Sequence, residues 1–423
     1  MNRNTALGTL GLSVLLILAG IVSQQEVGSS NSVQSNQRVE ESTVDPIATN
    51  TQISQLANAN NRFGFKLFNQ IQTQQPAENI VVSPHSIAIA LAMVAKATDG
   101  TTQEEIVTAL ELDRLDPTSI DRSYLKLIET LQNAEPNLKL AIANSLWVDR
   151  DITLKPKFIE DLKKFYRAQV SNLDFSNPQA KDKINNWVAE NTNDKIPQIV
   201  DSLSPEDALY LINAVYFKGS WSNQFDPNAT TEAPFYTTSD SSPQQMMKQT
   251  GEYRYYEDDL FQAVRIPYGE KEELGMYIFL PQETSSLKTL NERLNPENWQ
   301  EWLSQMRSQR GNISIPRFEL EYERDLINVL SALGINSIFD SSGANFSTMT
   351  DTSVAVDTVK HKTYLEVNES GTEAAAVTSI GIRVTSLQQE DIPFEMNVNR
   401  PFFFAIRDDI TETILFMGNV VEP

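Results

Sequence analysis

Glu369-Ser-Gly-Thr-Glu-Ala-Ala-Ala-Val-Thr-Ser-Ile-Gly-Ile-Arg-Val384 has the periodicity of a strand and the small residues of a loop. Every second residue from Thr372 gives Thr372, Ala374, Ala376, Thr378, Ile380, Ile382 and Val384, while the interleaved set carries Glu373, Ser379, Gly381 and Arg383. Period two with both charges on one side describes a half-buried strand. Yet Gly371 and the alanines Ala374, Ala375 and Ala376 have weak strand propensity and too little apolar bulk to hold a sheet position unaided. A segment of this kind can live in two places, a solvent loop and a sheet.

Around it lie 423 residues, 40% of them hydrophobic, enough to bury a large core, and a mean hydropathy of −0.33 excludes a polytopic membrane protein. Thirty-four Lys plus Arg against 56 Asp plus Glu leave a net charge of −22, which repels phosphate backbones, so nucleic acid and heparin-like polymers are not expected partners. The chain has no Cys, which excludes disulfides, thiolate zinc sites and a cysteine nucleophile. Ala6 to Val22 is an uncharged apolar run preceded by one Arg, and it resembles a signal peptide. The run is slightly long for cleavage and no Ala-x-Ala follows, so an uncleaved single-span anchor competes with it. Residues 1–23 are therefore expected to be a signal peptide or N-terminal membrane anchor, with 6–22 as a tether in the second case. Either implies an exported protein, extracellular or periplasmic. Residues 24–50, without aromatics or periodicity, are expected to form a disordered linker, and 51–423 a single domain.

Within that domain helical patterns come early. Asn58–Gln72 places Phe63, Leu67, Phe68 and Ile71 on one side, and Ser86–Lys96 is apolar almost all round, following the Ser83-Pro84 start signal. Thr102-Gln-Glu-Glu opens a further helix, and 119–132, 157–166 and 179–192 read likewise. Strands follow at 138–148, 208–217, 261–267, 274–280, 311–318, 363–367, 401–407 and 413–421. That segregation means an α+β fold with large, mostly antiparallel sheets.

Separated motifs then carry a family resemblance. Asn79-Ile-Val-Val-Ser-Pro-His-Ser-Ile-Ala-Ile-Ala-Leu-Ala-Met93, Asn213-Ala-Val-Tyr-Phe-Lys-Gly-Ser-Trp221, Phe346-Ser-Thr-Met349, His361-Lys-Thr-Tyr-Leu-Glu-Val-Asn-Glu-Ser-Gly-Thr-Glu-Ala-Ala-Ala376 and Asn399-Arg-Pro-Phe-Phe-Phe-Ala-Ile406 together resemble the serpins, in that family's order. The resemblance implies a fold of three β-sheets and about nine helices, with an exposed reactive-centre loop from Glu369 to about Asp391. It implies a monomeric suicide-substrate inhibitor of serine proteases. Cleavage of the loop leaves the protease acylated while the loop inserts into the main sheet, a switch that releases stored strain.

The residues fit that mechanism physically. Insertion needs a hinge that bends and an inward face that packs, and the hinge Glu369, Gly371, Thr372, Glu373, Ala374, Ala375 and Ala376 has no bulky or proline residue on that face. Further along, burying three aliphatic side chains from Ile380, Ile382 and Val384 contributes roughly 5 to 8 kcal/mol. Thirteen residues of strand at about 3.3 Å each carry a tethered partner on the order of 40 Å. A non-inhibitory member with a binding, storage or chaperone role is the alternative.

The family interval from Glu369 puts the reactive bond at Thr385-Ser386, which suits an elastase-like or subtilisin-like target with a modest apolar S1 pocket. Arg383-Val384 is the trypsin-like alternative. By resemblance, Ser83, Ser86, Asn213 and His361 form a polar shutter beneath the central strands, and Trp221 marks the breach where the hinge enters. Ser83 or Ser86 beside His85 suggests a hydrolase only superficially, since these neighbours at a helix start point apart and no Gly-x-Ser-x-Gly elbow exists. No catalytic residues, metal ligands or cofactor are expected. The 119–132 helix has no Arg and Lys cluster, so glycosaminoglycan binding is not expected either.

Overall fold

A computed structural model describes residues 48–135, 138–237, 240–372 and 392–423. The expectations for the N-terminal segment, for most of the linker and for Glu373, Ala374, Ala375, Ala376, Arg383, Val384, Thr385 and Ser386 lie outside these. Among the described residues no helix is long and apolar enough to cross a membrane.

Nine α-helices occur among the described residues: α1 (Asn50–Gln74), α2 (Pro84–Ala97), α3 (Thr101–Ala109), α4 (Ile120–Gln132), α5 (Pro156–Tyr166), α6 (Ala180–Asn191), α7 (Leu287–Arg293), α8 (Pro296–Gln305) and α9 (Ile327–Ala332). The strands are β1 (Ile80–Val82), β2 (Lys139–Asp149), β3 (Gln169–Leu173), β4 (Leu209–Ser220), β5 (Thr231–Tyr236), β6 (Ser241–Glu257), β7 (Phe261–Tyr268), β8 (Leu274–Pro281), β9 (Arg307–Pro316), β10 (Phe318–Asp325), β11 (Thr358–Asn368), β12 (Gly371–Thr372), β13 (Phe394–Asn397), β14 (Phe402–Asp408) and β15 (Ile414–Val420). The helices expected from periodicity are present. The first starts earlier than its apolar pattern, at a capping box in which the Gln52 amide donates to Thr49 Oγ1 and the Thr49 amide to Gln52 Oε1.

Several differences concern strands, among them the short β1, β3 and β13, which the sequence patterns do not mark. The expected strand at 311–318 is two strands, β9 and β10, meeting at Arg317, and the exposed polar hairpin β5–β6 went unread because its outward residues lack a continuous apolar face. The 17-residue β6 pairs with β5 and then β7, and with β9 along much of its length, and so joins these strands into one nine-stranded sheet.

The functional sheet is the six-stranded one, ordered β10-β11-β12-β4-β2-β3. Both its faces are covered. The main core with α2 lies on one side, and α6 with Ile196, Ile199 and Val200 packs against Trp147, Tyr210, Ile212 and Tyr216 on the other. Burial on two faces explains why β4 is apolar almost throughout instead of alternating.

Candidate functional site

The centre of this sheet is a parallel pair, β4 and β11, hydrogen-bonded directly from Tyr210–Thr358 to Tyr216–Tyr364. Above that point the strands separate and β12 lies between them, antiparallel to both. Gly371 is opposite Asn368 and Ser220, and Thr372 is opposite Val367 and Gly219. The offset pairing Tyr210 with Thr358 is the one that brings Ser220 and Asn368 to the same residue, so β12 enters without a register slip. Gly371 has φ +141°, and a Cβ there would sit 2.1 Å from the Gly219 carbonyl oxygen and 2.7 Å from Ser220 Cα. Only glycine fits this seat. The expectation of an exposed loop from Glu369 is corrected here: Glu369, Gly371 and Thr372 are buried in or against the sheet.

Three sets of contacts hold the hinge. The Trp221 and Phe225 amides donate to the carbonyls of Ser370 (3.1 Å) and Glu369 (2.9 Å), and Trp221 Nε1 donates to the Asn368 carbonyl (2.9 Å). Trp221 stacks on Tyr268 with ring centroids 4.4 Å apart and planes 17° from parallel. The Tyr268 hydroxyl shares a 2.8 Å hydrogen bond with the Thr372 hydroxyl, and burial pushes the Tyr268 phenol well above its ordinary pKa. Trp221 thus packs directly against the hinge, and Tyr268 is a partner that the motifs do not mark.

Glu369 supplies the third tie. Arg317 Nε donates to both carboxylate oxygens at 2.8 Å, Nη2 donates to Oε1 at 2.5 Å, and the Thr230 hydroxyl donates to Oε1 at 2.5 Å. Burial alone would raise this carboxyl, but the hydrogen bonds from Arg317 and Thr230 outweigh it and hold the group below its ordinary value. Neither Arg317 nor Thr230 was legible as a site residue, since each lies far from the hinge in sequence.

Lower in the sheet, the residues expected at the shutter come together where the start of α2 meets β4 and β11. The Ser83 amide donates to His361 Nε2 (3.3 Å), so His361 Nδ1 carries the proton and donates to Asn213 Oδ1 (2.5 Å). Ser86 Oγ donates to the same Asn213 oxygen (2.8 Å), and Asn213 Nδ2 donates to Asn144 Oδ1 (2.5 Å) on β2. Asn144 extends the cluster to a third strand and was not anticipated. Burial pushes His361 down to about 3, so its imidazole is neutral. His85 is likewise pushed down to about 3 by burial, and its Nδ1 faces Asn60 Nδ2 (3.2 Å) instead of a serine hydroxyl. Among the described residues no group of His, Cys, Asp or Glu could hold a metal ion.

The chain matches the family model described as "Serpin (serine protease inhibitor)" over residues 58–423. It is 37% identical to human neuroserpin over 372 residues, covering 84% of this chain and 89% of that one. With human leukocyte elastase inhibitor it shares 34% identity over 385 residues, covering 88% and 100%. Among solved structures, human thyroxine-binding globulin in complex with thyroxine superposes with a TM-score of 0.80 at 28% identity, covering 88% of this chain and 99% of that one. The thermophilic serpin tengpin in its native state superposes at 0.78 with 28% identity, covering 87% and 94%. With a sheet opened at one end by its own hinge and a family match over most of its length, the chain belongs to the serpins.

Proposed function

We propose that this serpin is a suicide-substrate inhibitor of a serine protease, trapping it by driving the cleaved loop between β4 and β11. The observation that carries this reading is the seating of Gly371 and Thr372 between two parallel strands that keep one offset above and below the entry point. A strand entering there breaks the direct β4–β11 hydrogen bonds and replaces them with two antiparallel ladders, so the exchange gains backbone pairing as it proceeds.

The chemistry begins as ordinary proteolysis. The protease serine attacks the carbonyl of Thr385, the Thr385-Ser386 peptide bond breaks, the Ser386 amine leaves with its proton, and Thr385 is held as an ester. Insertion then competes with water for that ester. A small β-branched residue before the bond suits an elastase-like or subtilisin-like target, and the likeness to leukocyte elastase inhibitor favours the same class. Export through the N-terminal segment places the inhibitor where such proteases act.

Incubation with an elastase-like and a subtilisin-like protease, followed by SDS gel and mass spectrometry of the released peptide, tests this. An SDS-resistant adduct and a peptide beginning at Ser386 are expected. A peptide beginning at Val384 would move the bond to Arg383-Val384 and the target to the trypsin-like class. Cleavage without adduct across a broad panel would overturn inhibition in favour of a binding, storage or chaperone role.

A further inference from the structure

At the end of the six-stranded sheet opposite the breach, β11 begins at Thr358 beside Tyr210 of β4. Asp357, one residue earlier, ties the two strands in two ways. Its amide donates to the Leu209 carbonyl (3.1 Å), which continues the ladder. Its carboxylate Oδ2 accepts two amides of the neighbouring chain at once, from Ala208 (2.6 Å) and Leu209 (3.0 Å). An ionised oxygen shared by two donors is a stronger tie than the neutral carbonyl a strand otherwise offers. The Ala208 carbonyl accepts the Asp149 amide in turn (3.0 Å), so the contact reaches β2. Asp207 does not compete for these donors, because its Oδ2 accepts the Tyr210 hydroxyl (2.6 Å) and the Ser204 amide (3.1 Å).

A strand that continues the β12 register breaks the direct β4–β11 pairs one after another and comes level with Leu209 and Asp357 last. An intervening strand moves its neighbours to about 4.7 to 4.9 Å on either side of itself, a separation that one carboxylate cannot bridge. We propose that Asp357 is a positioning residue for loop insertion: a latch joining β4 to β11 at the far pole, whose release is the final barrier to full separation of the strands. This rests on the inhibitory reading above.

The test compares the full chain with Asp357→Ala, Asp357→Ser and Asp357→Asn in three measurements. These are the ratio of adduct to cleaved chain with an elastase-like protease, the lifetime of the uncleaved native form at elevated temperature, and the rate at which a synthetic peptide of residues 371–384 anneals into the sheet. Asp357→Ala should leave the rate of loop attack unchanged and raise the adduct ratio. It should shorten the native lifetime and speed annealing by about tenfold, the factor for about 1.4 kcal/mol off a barrier. Asp357→Asn, whose neutral side-chain oxygen can accept the same two amides but more weakly, should fall between the parent chain and Asp357→Ala. Asp357→Ser, too short to take both, should follow Asp357→Ala and serves if the alanine variant does not fold. Equal lifetimes and annealing rates for the parent and both short variants, or an Asn variant as fast as Ala, overturn the latch. Absence of adduct from every form across a broad protease panel overturns the inhibitory reading alone, because peptide annealing still ranks the variants.

Discussion

Replacing Arg317 with alanine isolates a buried carboxylate at the base of the hinge. Glu369 is 6% exposed, and without the guanidinium its remaining side-chain donor is the Thr230 hydroxyl. Removing one partner of a fully buried pair costs roughly 3 to 5 kcal/mol. The Arg317 side chain is 44% exposed, so water relieves part of that, and about 2 kcal/mol is expected. With unfolding entropy of about 2.1 cal/mol/K per residue, a domain of this size should melt about 2 to 3 °C lower. The effect is pH-dependent in a defined direction. Because the folded Glu369 carboxyl lies below its ordinary 4.5, its stabilisation is present above that value and is lost as pH falls through the folded one. Calorimetric melts of the parent and Arg317→Ala at neutral pH should therefore differ, and the gap should close in acid. Identical melts at neutral pH, or a gap that persists once Glu369 is protonated, would refute the anchor.

Other outcomes follow from the same contacts. Thr372→Arg places a charge at a fully buried position between β4 and β11, so on the proposed mechanism the ratio of adduct to cleaved chain on an SDS gel should fall by about tenfold or more. Gly371→Val cannot keep its seat against Gly219 and Ser220, and hydrogen exchange at the Thr372 amide should lose its protection. His85 and His361 are pushed down to about 3 by burial from an unfolded value of 6.5, so the folded form binds fewer protons and stability is lost as pH falls from 6.5 towards 3. The slope is about 1.4 kcal/mol per pH unit for each histidine, and a urea midpoint that stays flat from pH 7 to 5 would contradict neutral burial.

Much of the fold was legible because strong local signals agree with it. The Ser83-Pro84 start, the all-round apolar 86–96 segment and the runs at 208–217 and 274–280 emerge as α2, β4 and β8. Missed elements have weak local patterns: β5 and the start of β6 are mostly exposed and polar, and α8 is a short helix that buries Trp299, Trp302 and Leu303 among polar residues. The polar residues Ser83, Ser86, Asn213 and His361 stand out in the sequence, but Asn144 joins their cluster only through cross-strand pairing with Asn213.

The period-two hinge, its small residues, the absence of cysteine and the order of motifs are properties of the chain read along its length. They were enough to name the family and to identify a segment able to act as loop or strand. That Glu369, Gly371 and Thr372 are buried is not a local property. Nothing in the sequence around them marks them as buried, and their burial depends on Arg317, Thr230, Trp221 and Tyr268 closing on them from elsewhere in the chain. Asp357 is a similar case, an ordinary acid before a strand until β4 brings two amides to its carboxylate. Periodicity reports what a residue can pack against, whereas hydrogen-bond partners for buried groups are supplied by strands distant in the chain, and only folding brings those together.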